Sequence, residues 1–122
     1  TFKHCIFQAR ARRVGSEQEA CDFARVVAKG SQRGAYNSVA PMAFRVMKDG
    51  QREEGFDDYG DSGTGERLLC LLKNWNAYDI VIVVIRIDKG FMGASFIGAR
   101  KFKLVVDRAK LLLESCYLQA RQ

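Results

Sequence analysis

The sequence predicts an α+β fold, a two-layer sandwich in which a four-stranded, mostly antiparallel sheet carries two or three helices on one face. Three observations lead to this class. Residues 80–85 are a short β-branched run, typical of a strand that is buried on both faces or lies at a sheet centre. Apolar residues recur at helical spacing between Phe102 and Cys116, with charged residues opposite them. Asp49 and Gly50 are a strong signal for a two-residue hairpin turn between two short strands.

The N-terminal third of the chain is predicted to hold a strand, a helix and a loop. Residues 5–11 alternate apolar and polar side chains, as a strand with one solvated face requires. Ser16 and Glu19 match the capping-box pattern and an apolar helical face follows, so we expect a helix over residues 16–29. Residues 30–41 contain two glycines, two serines, an asparagine and the only proline, which indicates a loop.

Two paired strands and a central segment complete the predicted sheet. The strands, residues 42–47 and 51–56, flank the hairpin turn and pair antiparallel. Residues 57–86 then run through an acidic, glycine-rich loop, a leucine-rich helix that begins near Glu66, and the buried strand. Because a charge at a sheet centre needs a partner, we expect Arg86 to lie at the strand end and to face a loop carboxylate.

Length and charge bound the function. A chain of 122 residues is long enough for one domain with a real core, here residues 1–122, and too short for two of ordinary size. The net charge of +6 favours a polyanion or an acidic protein surface as a partner. No apolar run reaches the roughly 20 residues that span a bilayer, so we expect a soluble protein with no membrane partner. A second glycine-rich loop is predicted over residues 88–98.

The cysteines indicate a compartment rather than a site. They lie far apart without a C-x-x-C pair, and the only histidine is His4, so a zinc site lacks ligands at the usual spacing. We expect reduced thiols in the core, which favours a reducing, cytoplasmic environment. The four are Cys5, Cys21, Cys70 and Cys116.

The central loop admits two interpretations. Gly60 and Gly65 have the spacing of a phosphate-binding loop, but Glu66 and Arg67 stand where such a loop needs Lys and then Ser or Thr. The N–H groups at the helix start, with Arg67 nearby, could still hold an anion or a partner's carboxylate. Alternatively, the loop only caps the helix. The candidate partner- or anion-binding residues here are Asp57, Asp58, Ser62, Gly63, Thr64, Gly65, Arg67 and Arg86.

Acidic residues before and within this loop are candidates for a magnesium site or an acid–base pair, because hard cations prefer carboxylate oxygens. They are Glu53, Glu54, Asp57, Asp58 and Asp61. The sequence offers no nucleophile or base beside them, since Ser62 lacks the elbow motif of lipases and His4 is near the N-terminus. We therefore expect a non-catalytic domain without a metal or a cofactor.

Basic residues form two groups in the sequence, which could build one phosphate-binding surface or a solvated face. The groups are Arg10, Arg12 and Arg13, and Arg100, Lys101, Lys103 and Arg108. Arg100, Lys101 and Lys103 join the candidate partner-binding residues.

These motifs together resemble the IMPACT family, the ancient domain shared by bacterial YigZ-type proteins and the eukaryotic IMPACT protein. Phe7-Gln8-Ala9 is similar to the family's opening strand, and residues 43–46 resemble its Ala-Tyr-Arg-Ile strand. The loop from Asp57 to Gly65 and the strand that ends at Arg86 resemble the family's central signature. The second glycine motif and the start of the last helix are matched by Gly93, Ile97, Gly98 and Phe102. The chain departs from the family at Ser38-Val39-Ala40, Tyr59 and Ile87-Asp88.

The resemblance implies a fold similar to ribosomal-protein and elongation-factor-G domains that contact RNA. It also implies translational regulation, because eukaryotic members bind a co-activator and lower the activity of the kinase that phosphorylates initiation factor two during amino-acid starvation. The expected partner is a protein of the translation or stress-kinase machinery, and RNA or the ribosome is the alternative. We expect the domain to be a monomer.

Overall fold

The computed structural model describes residues 5–31, 37–88 and 100–120. These ranges contain five strands and three helices. In chain order they are β1 (Cys5–Arg13), α1 (Glu17–Ser31), β2 (Asn37–Val39), β3 (Met42–Lys48), β4 (Gln51–Asp57), α2 (Thr64–Asn74), β5 (Ile80–Asp88) and α3 (Arg100–Ala120). Within the described residues, no helix is both long and apolar enough to cross a membrane.

The strands form a single antiparallel sheet in the order β1-β5-β3-β4, with β2 also paired to β5. β5 is the central strand, and its residues from Val81 to Arg86 are all at most 5% exposed. The prediction of a strand buried on both faces is therefore confirmed. The hairpin between β3 and β4 is confirmed as well, because Asp49 and Gly50 both have the positive φ of a two-residue hairpin turn, at 52° and 78°.

β2 and β3 behave as one interrupted strand beside β5. Their register is continuous, since Val39 lies opposite Arg86 and Met42 lies opposite Val83. At the break, Pro41 has no N–H to donate, but its carbonyl oxygen accepts the N–H of Val84 at 3.1 Å. The loop predicted over residues 30–41 is therefore wrong for Asn37–Val39, while residues 32–36 lie outside the described residues.

Helices cover both faces of the sheet. Alternate residues of β5 separate the two packing clusters: Ile82 and Val84 face α2 and α3, whereas Val81, Val83 and Ile85 face α1. The sheet with α2 and α3 forms the predicted two-layer α+β sandwich. The structure differs from the expectation in having a fifth strand and in placing α1 on the opposite face.

The prediction of core thiols is wrong for Cys70 and Cys116, which are exposed and free. Cys21 is half-buried, and burial raises the pKa of its thiol, which lowers the thiolate fraction that reacts. Cys116 continues the apolar spacing of α3, but among the described side chains the last α3 residue packed in the core cluster is Leu113. The second glycine-rich loop lies almost wholly outside the described residues.

Arg45 on β3 ties the sheet to the end of α2. Its side chain is on the same face as Ala43 and the residue is only 4% exposed. One guanidinium nitrogen, Nη1, donates to the carbonyl oxygens of Leu72 at 3.4 Å and Ala77 at 3.5 Å, and Nη2 donates to the Tyr78 hydroxyl at 2.8 Å. The Leu72 carbonyl also accepts the Ala77 N–H at 2.9 Å, so the guanidinium adds a second donor there and ties the loop that follows α2 to the sheet.

Glu54 on β4 supplies the counter-charge for this buried cation. Its carboxylate lies 3.6 Å from Arg45 Nε and 3.0 Å from Lys73 Nζ on α2. The hydrogen bond from Lys73 holds the pKa of Glu54 below its ordinary value. The charge of Arg45 is therefore compensated where the sheet edge meets the helix.

We predict that Arg45→Ala lowers the free energy of unfolding by about 3 kcal/mol, because it removes buried hydrogen bonds and leaves a void. Arg52→Ala is the matched control, since Arg52 is an exposed arginine on the neighbouring strand. It should change stability by less than about 0.5 kcal/mol. Urea denaturation followed by circular dichroism measures both. Equal effects of the two substitutions would contradict this role for Arg45.

Candidate functional site

A buried ion pair lies where the acidic loop meets the sheet. Arg86 on β5 donates from Nη1 to Asp61 Oδ2 at 3.1 Å, and the two residues are 5% and 2% exposed. The expectation that Arg86 faces a loop carboxylate is confirmed. Arg86 is two residues before the end of β5, and it lies opposite Phe7 on one side and Val39 on the other.

The same carboxylate also fixes the first residue of α2. The Thr64 hydroxyl donates to Asp61 Oδ2 at 2.7 Å, and the Thr64 N–H donates to the Asp61 carbonyl at 3.1 Å. Thr64 is fully buried. Asp61 therefore bridges the central strand and the helix start, so that the position of α2 depends on Arg86.

Asp58 caps α2 from outside the helix. Its two carboxylate oxygens accept the N–H groups of Gly63 at 3.1 Å and Gly65 at 2.8 Å. A carboxylate at this place compensates unpaired N–H groups and the positive end of the helix dipole. The helix begins at Thr64, two residues before the predicted Glu66, because these acceptors come from the preceding loop.

The contacts favour the capping interpretation of the loop over anion binding. The N–H groups of Gly63, Thr64 and Gly65 already have protein acceptors, and the Asp58 carboxylate stands where an external anion would bind. Asp57 is also engaged, since its Oδ1 accepts the Tyr59 N–H at 2.9 Å. Ser62 is exposed at the turn.

Arg67 points away from this cap, toward α3. Its guanidinium carbon lies 4.0 Å from the centre of the Phe102 ring, a cation–π distance. Lys103 follows Phe102 on α3 and is exposed. Arg100 and Lys101 belong to the first turn of α3, but their side chains lie outside the described residues.

The comparisons with known proteins identify the family. The Impact N-terminal domain family matches residues 3–113 of the chain. The chain belongs to this family. It is 28% identical over 112 residues to a protein named "Protein IMPACT homolog" from Saccharomyces cerevisiae. That alignment covers 90% of this chain and 42% of the relative, so the chain spans less than half of the relative's length. No solved structure matches the chain.

In this IMPACT-family domain the signature residues build the loop itself. Asp58 and Asp61 turn inward, although the sequence offered both as candidates for a magnesium site or an acid–base pair. Among the described residues, no group of three or more His, Cys, Asp or Glu side chains is arranged to hold a metal ion. The hydrogen bonds of Asp58 and Asp61 therefore make the central loop a structural connection between the sheet and α2.

The described side chains of the two basic groups lie on both sides of the sheet of the IMPACT-family domain, not on one face. Arg12 lies over the Phe23 ring of α1, with the guanidinium carbon 6.0 Å from the ring centre, and Arg10 shares its side of β1. Lys103 lies on α3, across the sheet. Arg13, by the alternation of the strand, points to the α3 side.

Sequence reasoning missed two residues of this region. Arg45 was read only as part of a family-like strand, although a lone charge in the apolar run of β3 is the signal of a buried, paired cation. Asp58 was not recognised as the cap, because its acceptors serve N–H groups five and seven residues away. Such a separation falls outside the local patterns of helix capping.

We predict that Gly65→Ala destabilises the domain by about 2 kcal/mol or more, because an added Cβ would lie 2.8 Å from the Asp57 carbonyl oxygen and from Asp58 Oδ1. The matched control is Gly30→Ala in α1, where the Cβ would meet nothing within 4 Å. That substitution should be neutral or stabilise by up to about 1 kcal/mol. Denaturant titration measures both. A Gly65→Ala protein as stable as the parent would contradict the capping geometry.

Proposed function

We propose that this IMPACT-family domain is a non-catalytic interaction module of the cytoplasm, and that it binds a protein of the translation machinery or of its amino-acid-starvation kinase pathway. The family resemblance supports the pathway, since it implies lowered activity of the kinase of initiation factor two. Because the chain spans 42% of its yeast relative, the proposal concerns the binding step performed by this domain.

The non-catalytic part of the proposal rests on one observation: the loop carboxylates of Asp58 and Asp61 accept hydrogen bonds from groups of the protein itself. A general acid or base must reach a substrate proton, at roughly 2.6–3.2 Å or through one water. Asp61 instead holds Arg86 and Thr64, and Asp58 holds two backbone N–H groups. Residues that fix a helix in this way favour a scaffold that presents surfaces.

The test is an affinity capture from cell lysate that contains ribosomes and the stress kinase, with immunoblots for both. The matched control bait is an unrelated domain of similar size and of similar pI, about 9.4, so that capture by charge alone is subtracted. We expect enrichment of ribosomal or kinase-pathway proteins over the control. Enrichment of neither would overturn the proposal.

A second candidate function is RNA binding, and the exposed part of β1 favours it. Arg10 and Arg12 are exposed on the α1 side of the edge strand, and Gln8 beside them accepts a hydrogen bond from Arg10 Nη2 at 3.3 Å. Two arginines and an amide on a strand surface can contact phosphates and sugars without a deep pocket.

We predict that, if this surface binds RNA, the logarithm of the affinity for a structured RNA falls linearly with the logarithm of salt concentration. Arg10→Ala should reduce the magnitude of that slope by about 1, as expected when one phosphate contact is lost. Arg52→Ala, an exposed arginine on β4 at the other edge of the sheet, is the control that should leave the slope unchanged. Filter binding over a salt series measures this. A salt-independent affinity would exclude the RNA function.

A further inference from the structure

A groove of about 670 Å³ lies between α2 and α3. Its apolar lining comes from Leu71, which is buried, and from Phe102 and Val106, which are half-buried. This volume is within the roughly 300–1,000 Å³ range of sites that hold ligands or inserted side chains. The groove can therefore accept apolar side chains from a partner.

Cations border the apolar lining. Arg67, Lys103 and Lys110 line the groove, together with one carboxylate, Asp107. Asp107 is already paired, since Lys103 Nζ lies 3.1 Å from its Oδ2. With three cations and one carboxylate the border has a net positive charge, in keeping with the net charge of +6, and it complements an acidic partner.

We propose that this groove binds an acidic, amphipathic helical segment of a partner protein, with aliphatic side chains inserted between α2 and α3 and carboxylates paired with the bordering cations. Phe102 and Lys110 are separated by eight helical positions, which corresponds to about 12 Å along α3. Anchors at positions i, i+4 and i+7 of a bound helix span about 10 Å. The length of the groove therefore matches three such anchors: Phe102 and Val106 offer apolar surface to two of them, and the third lies beside the aliphatic stem of Lys110.

Single-stranded RNA fits this groove less well than a peptide. RNA recognition of that type stacks bases on open aromatic faces. The aromatic ring of the groove, Phe102, has one face covered by the Arg67 guanidinium at 4.0 Å. The other apolar lining residues are aliphatic, so they offer packing but no base stacking.

This inference rests on the proposed function, because it names the chemistry of the protein partner. The probe is a fluorescein-labelled helical peptide of about four turns, with leucines at i, i+4 and i+7 and glutamates on the flanks. Fluorescence anisotropy measures its affinity. Control peptides replace the leucines with alanine, or the glutamates with lysine.

We expect the acidic leucine peptide to bind and both control peptides to bind at least about tenfold more weakly. Lys103→Glu and Lys110→Glu should each weaken binding about fivefold. Lys29→Glu is the matched control, because Lys29 is an exposed lysine of α1 on the opposite side of the sheet. It should change affinity less than about twofold.

The free thiols locate the bound peptide independently. Cys70 lines the groove and is exposed, whereas Cys116 is exposed on α3 outside the lining residues. Saturating peptide should slow alkylation of Cys70 by iodoacetamide at least about fivefold and leave Cys116 unchanged, as read by mass spectrometry.

Four results would each overturn the inference: no binding of the acidic peptide, equal binding of its alanine version, equal weakening by Lys29→Glu, or protection of Cys70 by single-stranded RNA in place of the peptide. The affinity capture distinguishes this failure from that of the proposed function. If the Lys103→Glu, Lys110→Glu double variant still captures the same proteins, the proposed function holds and the groove is not its binding site. If the peptide binds but no translation or kinase-pathway protein is captured, the groove inference holds and the proposed pathway is wrong.

Discussion

The buried ion pair between Asp61 and Arg86 is the interaction on which the placement of the central loop and of α2 depends. Two charges that are almost fully removed from water gain from each other only when the geometry is good and further polar groups are satisfied. Here the contact is 3.1 Å and the Thr64 hydroxyl adds a bond at 2.7 Å. Loss of one partner would leave the other charge buried alone, a cost of about 3–5 kcal/mol. The loop is therefore held at one place on the central strand.

The cap of α2 follows from that placement. Asp61 fixes the turn, and the turn brings Asp58 within 2.8 Å of the Gly65 N–H. The approach is so close that a side chain at position 65 would collide with the loop backbone. A glycine-rich, acidic sequence looks like an anion site when it is read as a list of residues. In the folded protein, the Asp58 carboxylate occupies the place at the start of α2 where an external anion would bind.

Local patterns explain which parts of the structure the sequence could predict. β5, the β3–β4 hairpin and α3 are strongly periodic or contain turn residues, and their prediction needs only neighbours in the chain. The partner of Arg86 was predictable because a buried charge has few alternatives. β2 was missed because its three residues are defined as a strand only by their pairing with β5, which lies far away in the sequence. The exposure of Cys70 was missed because an apolar residue type does not determine which side of a helix the residue occupies. The side of the sheet that α1 covers is likewise a long-range property.

The carboxylates of Asp58 and Asp61 bond groups of the protein itself, so any partner must be recognised by side chains that point outward. The groove cations, such as Lys110, lie on one side of the sheet, and two of the β1 arginines, Arg10 and Arg12, lie on the other. The sheet and one helix layer between them are about 10 Å or more thick, whereas charges are screened beyond about 8 Å at physiological ionic strength. The two surfaces therefore act as independent electrostatic sites. Under the two binding proposals above, an acidic protein segment and a nucleic acid would be held at the same time, and a change at one surface should leave the affinity of the other unaltered.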